Sequence, residues 1–134
     1  MTLSLYTADL GYASFPGERI PHPALLVDDG LIVAFGPIAA VLPLAPQDLP
    51  SIDLGAVVLM PGFIDAHVHL AFDGGADPIA AVRRSTDEEV HRIARANVGL
   101  LLEAGVTTAR DLGSRGLAIT DLRGPIAVLS LIHI

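Results

Sequence analysis

The most informative segment of this chain is Pro61-Gly62-Phe63-Ile64-Asp65-Ala66-His67-Val68-His69. Its apolar residues predict a β-strand over 63–69 that ends in two histidines. Successive side chains of a strand point to opposite faces, so Asp65, His67 and His69 lie on the same face. Imidazole is a preferred ligand of zinc and related divalent ions, and two that converge supply half of a metal site. His67 and His69 are therefore candidate metal ligands.

The composition limits the kind of protein that this chain can form. Its 134 residues suffice for one ordinary domain, and the hydrophobic fraction of 51% indicates a core that lacks some of its covering surfaces. Cysteine is absent, which excludes disulfides and thiolate ligands. The net charge of -7, with scattered acids and arginines, argues against a nucleic-acid partner. We see neither a secretion signal nor an apolar run of ~18–20 residues, so we expect no membrane partner and a cytoplasmic protein.

Residues 1–60 predict short β segments separated by turns. The predicted strands cover 3–5, 24–27, 31–35, 51–54 and 56–60. Two of them flank the turn Asp28-Asp29-Gly30, which is a strong signal for a β-hairpin. Two other segments, 11–23 and 43–50, are rich in proline or glycine and are expected to be connections. We interpret this region as part of a small β-sandwich domain.

After residue 60 the pattern changes to strand, loop and helix. A loop is expected over 70–84, where Gly, Pro and Asp are frequent. Ser85 and Glu88 have the spacing of a capping box, in which the hydroxyl accepts from the backbone N–H of the glutamate and the carboxylate reaches back. The helix is therefore expected over about 86–104. Its buried face is predicted to contain Val90, Ile93, Ala94, Leu100, Leu101 and Ala104.

A second strand follows this helix. Asn97 interrupts the apolar face of the helix, and Gly105 has the position of a left-handed terminator. The β-branched segment 106–110 predicts a strand, with a short helical segment expected around 116–122 and another strand over 126–131. Strand, loop, helix and strand form a βαβ unit, which implies a parallel sheet. Ligands of such folds bind at the carboxyl ends of the strands, where the two histidines lie.

Two segments of the chain resemble one protein family. Residues 61–69 resemble the Pro-Gly-x-x-Asp-x-His-x-His signature of the metal-dependent amidohydrolase superfamily. Residues 101–113, Leu-Leu-Glu-Ala-Gly-Val-Thr-Thr-Ala-Arg-Asp-Leu-Gly, resemble its second-strand segment and are closest to the imidazolonepropionase-like and Xaa-Pro-dipeptidase-like branch. The hairpin at 28–36 resembles the N-terminal β domain of the superfamily. The resemblance covers roughly residues 25–124.

The resemblance implies an α/β fold, a TIM-like (β/α)8 barrel with a small β-sandwich built from both chain termini. It also implies one or two divalent metal ions, with zinc expected, that activate water for attack on an amide-type carbonyl or C=N carbon. His67 and His69 would be the ligands from the first strand. The other ligands of the family come from later strands: a carboxylated lysine or glutamate, two histidines, and an aspartate that is also the proton-transfer base. No catalytic residue is therefore expected within this chain.

The chain is shorter than the barrel that the resemblance implies. A complete barrel needs about 250 residues, whereas 73 residues follow Pro61. All eight basic residues are arginine, so the chain holds no lysine that could be carboxylated. We expect a truncated, N-terminal fragment in which 1–60 belong to the β-sandwich and 61–128 to the first βα units of the barrel. Such a fragment is expected to be inactive by itself.

The last six residues, 129–134, have a separate explanation. They read Leu-Ser-Leu-Ile-His-Ile, the translation of CTG-TCT-CTT-ATA-CAC-ATC from a transposon-end adapter used in sequencing libraries. We interpret them as an adapter-derived tail that begins near Val128, and on this interpretation His133 has no function. The alternative is a natural third strand, since the segment is apolar.

Three further residues are candidates for contacts with a ligand or a substrate. Asp65 either orients a metal-binding histidine or stabilises the local backbone. Arg110 and Asp111 end the second strand, where they either contact substrate, orient a ligand or form an ion pair with each other. Asp73 and Asp77 are expected to form turns. Solvated side chains are expected for His22, His91, Arg83, Arg84, Arg92 and Arg95.

The resemblance predicts a function for the full-length parent of this chain. That function is hydrolysis of an amide-type C–N bond in a small molecule, such as a cyclic amide, an imidazolone-like ring or a Xaa-Pro dipeptide. Other branches, with N-acetyl-sugar-phosphate deacetylase or dihydroorotase-like activity, are alternatives within the superfamily. A different alternative is a non-catalytic fragment without bound metal. A homo-oligomer of the parent is left open.

Overall fold

The computed structural model describes residues 2–14, 16–115, 118–122 and 124. The chain divides into two compact units, Met1–Pro61 and Gly62–Ile134. The strand predicted over 126–131 and the tail at 129–134 lie outside the described residues. In the described ranges, no helix is long and apolar enough to cross a membrane.

The first unit consists mainly of short strands. They are β1 (Leu3–Thr7), β2 (Leu10–Tyr12), β3 (Arg19–Pro21), β4 (Pro23–Asp28), β5 (Leu31–Pro37), β6 (Ser51–Asp53) and β7 (Val58–Leu59). One sheet has the order β5-β4-β1-β6 and the other β3-β2-β7. Strand β1 pairs antiparallel with β4 and parallel with β6, while β2 pairs antiparallel with β3 and parallel with β7. All five strands predicted in this region are confirmed, with shifted ends.

The predicted hairpin is formed by β4 and β5. These strands pair antiparallel, from Pro23 opposite Pro37 to Asp28 opposite Leu31. Asp29 has a φ of 46° and Gly30 a φ of 82°, which are the left-handed conformations of a two-residue hairpin turn. The apolar core below the hairpin contains Leu5, Ala24, Leu26 and Val41.

Two parts of the first unit differ from the sequence prediction. Strand β3 and all of β2 except Leu10 lie in the segment 11–23, where the sequence predicts a connection. At Gly11 a β-carbon would come within 2.9 Å of Phe35 and Pro23, so glycine allows a close approach there. Helix α1 (Ile38–Val41) precedes the other predicted connection, and a 3-10 helix (Leu42–Leu44) overlaps with its first two residues. Local composition does not reveal these elements, because they depend on packing such as the burial of Val41.

The second unit contains the predicted βαβ arrangement. Its elements are β8 (Phe63–Val68), α2 (Pro78–Arg84), α3 (Asp87–Glu103), β9 (Val106–Asp111) and a 3-10 helix (Thr120–Leu122). Strands β8 and β9 pair in parallel, which confirms the prediction for these two strands. Gly105 has a φ of 81° and ends the turn after α3, as predicted. At Gly62 a β-carbon would overlap with the side chain of Thr107, so the entry to β8 requires glycine.

The loop between β8 and α3 is shorter than predicted. Asp77 caps α2 by accepting a hydrogen bond from the N–H of Ala80 at 2.9 Å, and Pro78 occupies the first turn. Proline is favourable at that position because its missing N–H has no partner within the helix. The prediction of a loop over 78–84 was therefore wrong. Asp73 does form a turn, as predicted, and accepts from the N–H of Gly75 at 3.0 Å.

The capping box of α3 lies one residue later than predicted. Thr86 is the cap, and its hydroxyl accepts from the N–H of Glu89 at 3.2 Å. The Glu89 carboxylate accepts in return from the N–H of Thr86 at 2.7 Å. The hydrogen bonds from Thr86 hold the pKa of the Glu89 carboxyl below its ordinary value. The Ser85 hydroxyl instead donates to the carbonyl of Ala81, at the end of α2.

Helix α3 packs against the segment that follows β8. Val90, Ala94 and Val98 of α3 are fully buried, while Leu100, predicted to be buried, is 62% exposed. The core of this unit consists of Leu70, Ala71, Val82, Val90, Ala94, Val98, Ala118, Ile119 and Leu122. Leu70 and Ala71 directly follow the histidine pair, so this core holds the segment at the carboxyl end of β8.

Candidate metal centre

The carboxyl end of β8 places the two histidines side by side. The ring centroids of His67 and His69 are 5.3 Å apart, and the ring planes make an angle of 73°. The His67 side chain is exposed and that of His69 is half-buried. The alternation of side chains along the strand produces this arrangement, because residues two apart point to the same face.

The ring of His69 is held by two contacts. Its Nδ1 lies 3.1 Å from the carbonyl oxygen of Gly113. A carbonyl oxygen only accepts, so Nδ1 is the donor in this hydrogen bond, and in a neutral imidazole the lone pair then belongs to Nε2. The ring also stacks on Phe72, with centroids 4.5 Å apart and planes 18° apart. Metal-binding histidines are commonly oriented by such a hydrogen bond from the second ring nitrogen.

Asp111 joins the backbone segments on both sides of the site. Its Oδ2 accepts from the N–H of Leu70 at 2.8 Å, and its Oδ1 accepts from the N–H of Gly113 at 2.8 Å. The first bond holds the residue after His69, and the second holds the residue whose carbonyl contacts His69. No ion pair joins Asp111 to Arg110 in the described part of the chain. Arg110 is exposed.

Asn97 contacts the same segment from the side of the helix. Its amide nitrogen donates to the carbonyls of Leu70 and Phe72, each at 2.8 Å. The N–H of Phe72 bonds to the carbonyl of His69 at 3.1 Å, and we name residues 69–72 the His69 turn. In the sequence, Asn97 is recognisable only as an interruption of an apolar helix face. A polar residue in that position was the available signal for this contact.

The remaining candidates have local contacts. The Asp65 carboxylate accepts from the N–H of His67 at 3.0 Å, which fixes the backbone between the two residues. His22 is exposed and has a φ of 45°. His91 differs from the prediction of a solvated side chain, because its Nε2 is buried without a hydrogen-bond partner.

A cavity of about 300 Å³ lies beside the His69 turn. Phe72, which stacks on His69, lines it together with Gly113 and Ser114. Arg115 also lines it and is anchored by a hydrogen bond to the carbonyl of Ser85 at 2.6 Å and an ion pair with Asp87. The cavity therefore borders Phe72 and Gly113, the two residues that contact the His69 ring, and its wall includes the anchored Arg115 guanidinium.

The histidine pair fits a divalent metal ion in part. Two neighbouring imidazoles, one with its Nε2 lone pair set by Gly113, fit a zinc-type ion as two ligands. Among the described residues, no group of three or more His, Asp or Glu side chains forms a candidate site. The pair therefore fits part of a coordination shell, and zinc needs further ligands to complete it.

The sequence comparison identifies the family. Residues 58–125 match the amidohydrolase family. Imidazolonepropionase from Solibacter usitatus is 32% identical over 126 residues, which cover 76% of this chain and 30% of the relative. The chain belongs to the amidohydrolase family, which confirms the resemblance based on the two motifs. It spans about a third of the length of the curated relatives it matches.

Solved structures show the same fold at low sequence identity. Guanine deaminase from E. coli matches with a TM-score of 0.77 and 19% identity, over 99% of this chain and 35% of that protein. A Xaa-Pro dipeptidase with bound methionine in its active site matches with a TM-score of 0.70 and 20% identity, over 98% of this chain and 31% of that protein. The described α/β arrangement is therefore that of a known structural family.

Proposed function

We propose that this chain supplies the first-strand metal ligands of a metal-dependent hydrolase that cleaves amide-type C–N bonds. The observation that carries the proposal is the state of His69. Its Nδ1 donates to Gly113, so Nε2 can bind a metal ion beside the ring of His67. Family membership supports the same conclusion, because the histidine pair lies within the matched residues 58–125.

Each side chain near the pair has a proposed role. His67 and His69 would hold the ion, which when bound would polarise the scissile group and lower the pKa of a water molecule. Asp111 orients His69 by fixing Leu70 and Gly113. Asp65 fixes the backbone at His67. Arg110, exposed at the end of β9, is the proposed contact for substrate.

The proposed substrate is a small molecule with a cyclic amide, an imidazolone-like ring or a Xaa-Pro bond. Support comes from the names of relatives, which include imidazolonepropionases at 27–32% identity over most of the chain. The cavity beside the His69 turn is compatible with a small ligand. The alternatives within the superfamily are a deacetylase of N-acetyl sugar phosphates and a dihydroorotase-like enzyme.

We further propose that these residues belong to a TIM-like barrel with a β-sandwich, of which 1–60 and 61–128 form the first parts. Hydrolysis would then need ligands and a base from strands beyond them, and the 134 residues alone would be inactive. The presence of only two imidazoles in the described part of the site supports this proposal.

For the tail at 129–134, we propose an origin in a sequencing adapter. Codons that differ from CTG-TCT-CTT-ATA-CAC-ATC in the underlying nucleotide sequence would exclude that origin.

A zinc titration of the 134-residue chain tests the ligand assignment. With histidines labelled with ¹⁵N, we expect zinc to shift the Nε2 signal of His69 and the signals of His67 together. Replacing either residue, in His67→Ala or His69→Ala, should weaken binding at least about tenfold, because one donor of the pair is lost. His22→Asn is the matched control, since His22 is exposed and asparagine tolerates its positive φ.

Two outcomes of this titration would change the proposal. Unshifted signals of His67 and His69 at millimolar zinc would contradict their assignment as ligands. Stoichiometric zinc binding with a dissociation constant below about 1 micromolar would contradict the incompleteness of the site, because such tight binding requires a complete set of ligands. In a longer chain that carries the remaining strands, His67→Ala should abolish metal content and turnover together.

A further inference from the structure

We infer that Asn97 is a positioning residue that sets the orientation of the His69 ring. The part of this inference that concerns metal binding rests on the proposed function. Its basis is a set of hydrogen bonds between the middle of α3 and the backbone of the His69 turn. The family motifs quoted above do not include Asn97, because it lies between them in sequence.

The amide of Asn97 uses both of its donors on the turn. One N–H bonds the carbonyl of Leu70 and the other bonds the carbonyl of Phe72, both at 2.8 Å. An amide nitrogen has only two hydrogens, so this geometry uses its donor capacity fully. The His69 turn is thereby bonded at two of its carbonyls, those of Leu70 and Phe72, which would otherwise face a buried helix surface without partners.

Leu70 is held from both sides of the unit. Asp111, at the end of β9, accepts from its N–H, while Asn97 of α3 donates to its carbonyl. Its side chain is also buried, with 2% exposed. The residue directly after His69 therefore has little freedom, and this restricts the backbone from which the His69 ring extends.

Phe72 transmits the second contact to the ring. Asn97 holds its carbonyl, its N–H closes the turn on the carbonyl of His69, and its ring stacks on the His69 ring. Loss of the Asn97 bonds would free this peptide to rotate and would separate the two rings. The hydrogen bond from His69 to Gly113, which sets Nε2 as the metal-binding nitrogen, would then lose one of its supports.

The position of Asn97 on α3 supports a role beyond packing. It lies between Ala94 and Val98, which are 0% and 1% exposed. An apolar residue there would extend the buried face and has a higher helix propensity than asparagine. Asparagine costs stability in a helix interior unless its side chain finds partners, and the partners it finds are those of the His69 turn.

The test uses the 134-residue chain with Asn97→Leu and Asn97→Asp. Leucine keeps the size of the side chain and fits the apolar face, so α3 remains folded, but it removes both hydrogen bonds. Aspartate places oxygen atoms against the two carbonyls and removes the same bonds by repulsion. Arg95→Leu is the control, because Arg95 is exposed on the same helix.

Three measurements without metal decide the inference. In both variants we expect faster hydrogen exchange of the Phe72 amide, by about tenfold or more, as the turn opens locally. We also expect weaker nuclear Overhauser contacts between the rings of His69 and Phe72, and ¹⁵N shifts that show a mixture of His69 tautomers. The control should keep all three values. A variant that keeps its thermal midpoint and shows these changes excludes a role in helix packing alone.

A zinc titration then separates this inference from the proposed function. We expect Asn97→Leu to weaken zinc binding about tenfold, at the lower end of the loss seen when groups that orient ligands are removed. The positioning role would be overturned if Asn97→Leu leaves three quantities unchanged, whether or not zinc binds. These are the hydrogen exchange of the Phe72 amide, the contact between the rings of His69 and Phe72, and the tautomer of His69. If the unaltered chain shows no zinc response at the histidines, the metal proposal fails, and the metal-free measurements still decide the role of Asn97.

Discussion

The two ends of the β8–β9 strand pair differ in what holds them. At the amino end, Phe63 and Ile64 are 55% and 74% exposed, and Gly62 allows a close approach to the side chain of Thr107. At the carboxyl end, the side chains of Asp111 and Asn97 bond the backbone around His69. Side-chain hydrogen bonds to backbone are therefore concentrated at the end that carries the histidines.

This difference matches the division of roles in barrel enzymes. Ligand-binding residues of such folds lie at the carboxyl ends of the strands, and the opposite ends contribute to stability. The turn that carries His69 lies beyond the strand, so its backbone groups need partners other than a neighbouring strand. Substitutions at the two ends of the strand pair should therefore differ in their effect on the free energy of unfolding and on the His69 ring.

Leu70→Ala should have the largest effect, because it leaves a cavity in the core next to the His69 turn. We expect the free energy of unfolding to fall by about 2–5 kcal/mol. The matched variant at the amino end is Ile64→Ala, whose side chain is exposed, and it should change stability by less than about 0.5 kcal/mol. Urea denaturation measures both. Equal losses of unfolding free energy in the two variants would show that the amino end of β8 is buried in solution. They would contradict the difference between the two ends of the strand pair.

Gly62→Ala should have the next largest effect, because the added methyl group would overlap with Thr107. We expect the free energy of unfolding to fall by about 1–3 kcal/mol. The tautomer of His69 should not change, since Gly62 precedes β8 and His69 follows its opposite end. The double variant Gly62→Ala, Thr107→Gly provides the control in a double-mutant cycle. Additive losses in that cycle would contradict the contact between these two positions.

Asp111→Asn should cost about 1–2 kcal/mol, because an amide replaces one of the two oxygens that accept backbone N–H groups. Asp73→Asn is the control, since Asp73 accepts from Gly75 in an exposed turn, and it should cost less. The ¹⁵N shifts of His69 should change in Asp111→Asn only. An unchanged His69 signal would show that Gly113 keeps its position without the carboxylate.

The smallest effect concerns the pH dependence of α3. The pKa of Glu89 is lowered by its hydrogen bonds with Thr86, so its contribution to stability is complete above the ordinary glutamate pKa of about 4.3. It is lost as the pH falls through the lowered pKa of the folded state. Thermal unfolding, monitored by circular dichroism at a series of pH values, should show this loss of stability in the unaltered chain and not in Glu89→Gln. Glu88→Gln, one residue earlier, should retain the loss.

Several features of the fold follow from local sequence patterns. The turn at Asp29 and Gly30 requires left-handed backbone, which Asp and Gly tolerate, so the β4–β5 hairpin was predictable. The β8–α3–β9 unit was predictable because apolar periodicity and Gly105 mark its ends. Helix α2 was missed because Gly, Pro and Asp indicate a loop by composition, whereas Asp77 and Pro78 together start a helix.

The family, the parallel strand pair and the two adjacent imidazoles were predictable from the chain alone, because each depends on residue type and on spacing within a short segment. The ring nitrogen of His69 that is held, and the residues that hold it, become known from the packed fold. Asp111 and Asn97 reach Leu70 from 41 and 27 residues away along the chain. No local pattern encodes such contacts, since they exist only after α3 and β9 have packed against the segment that follows the histidines.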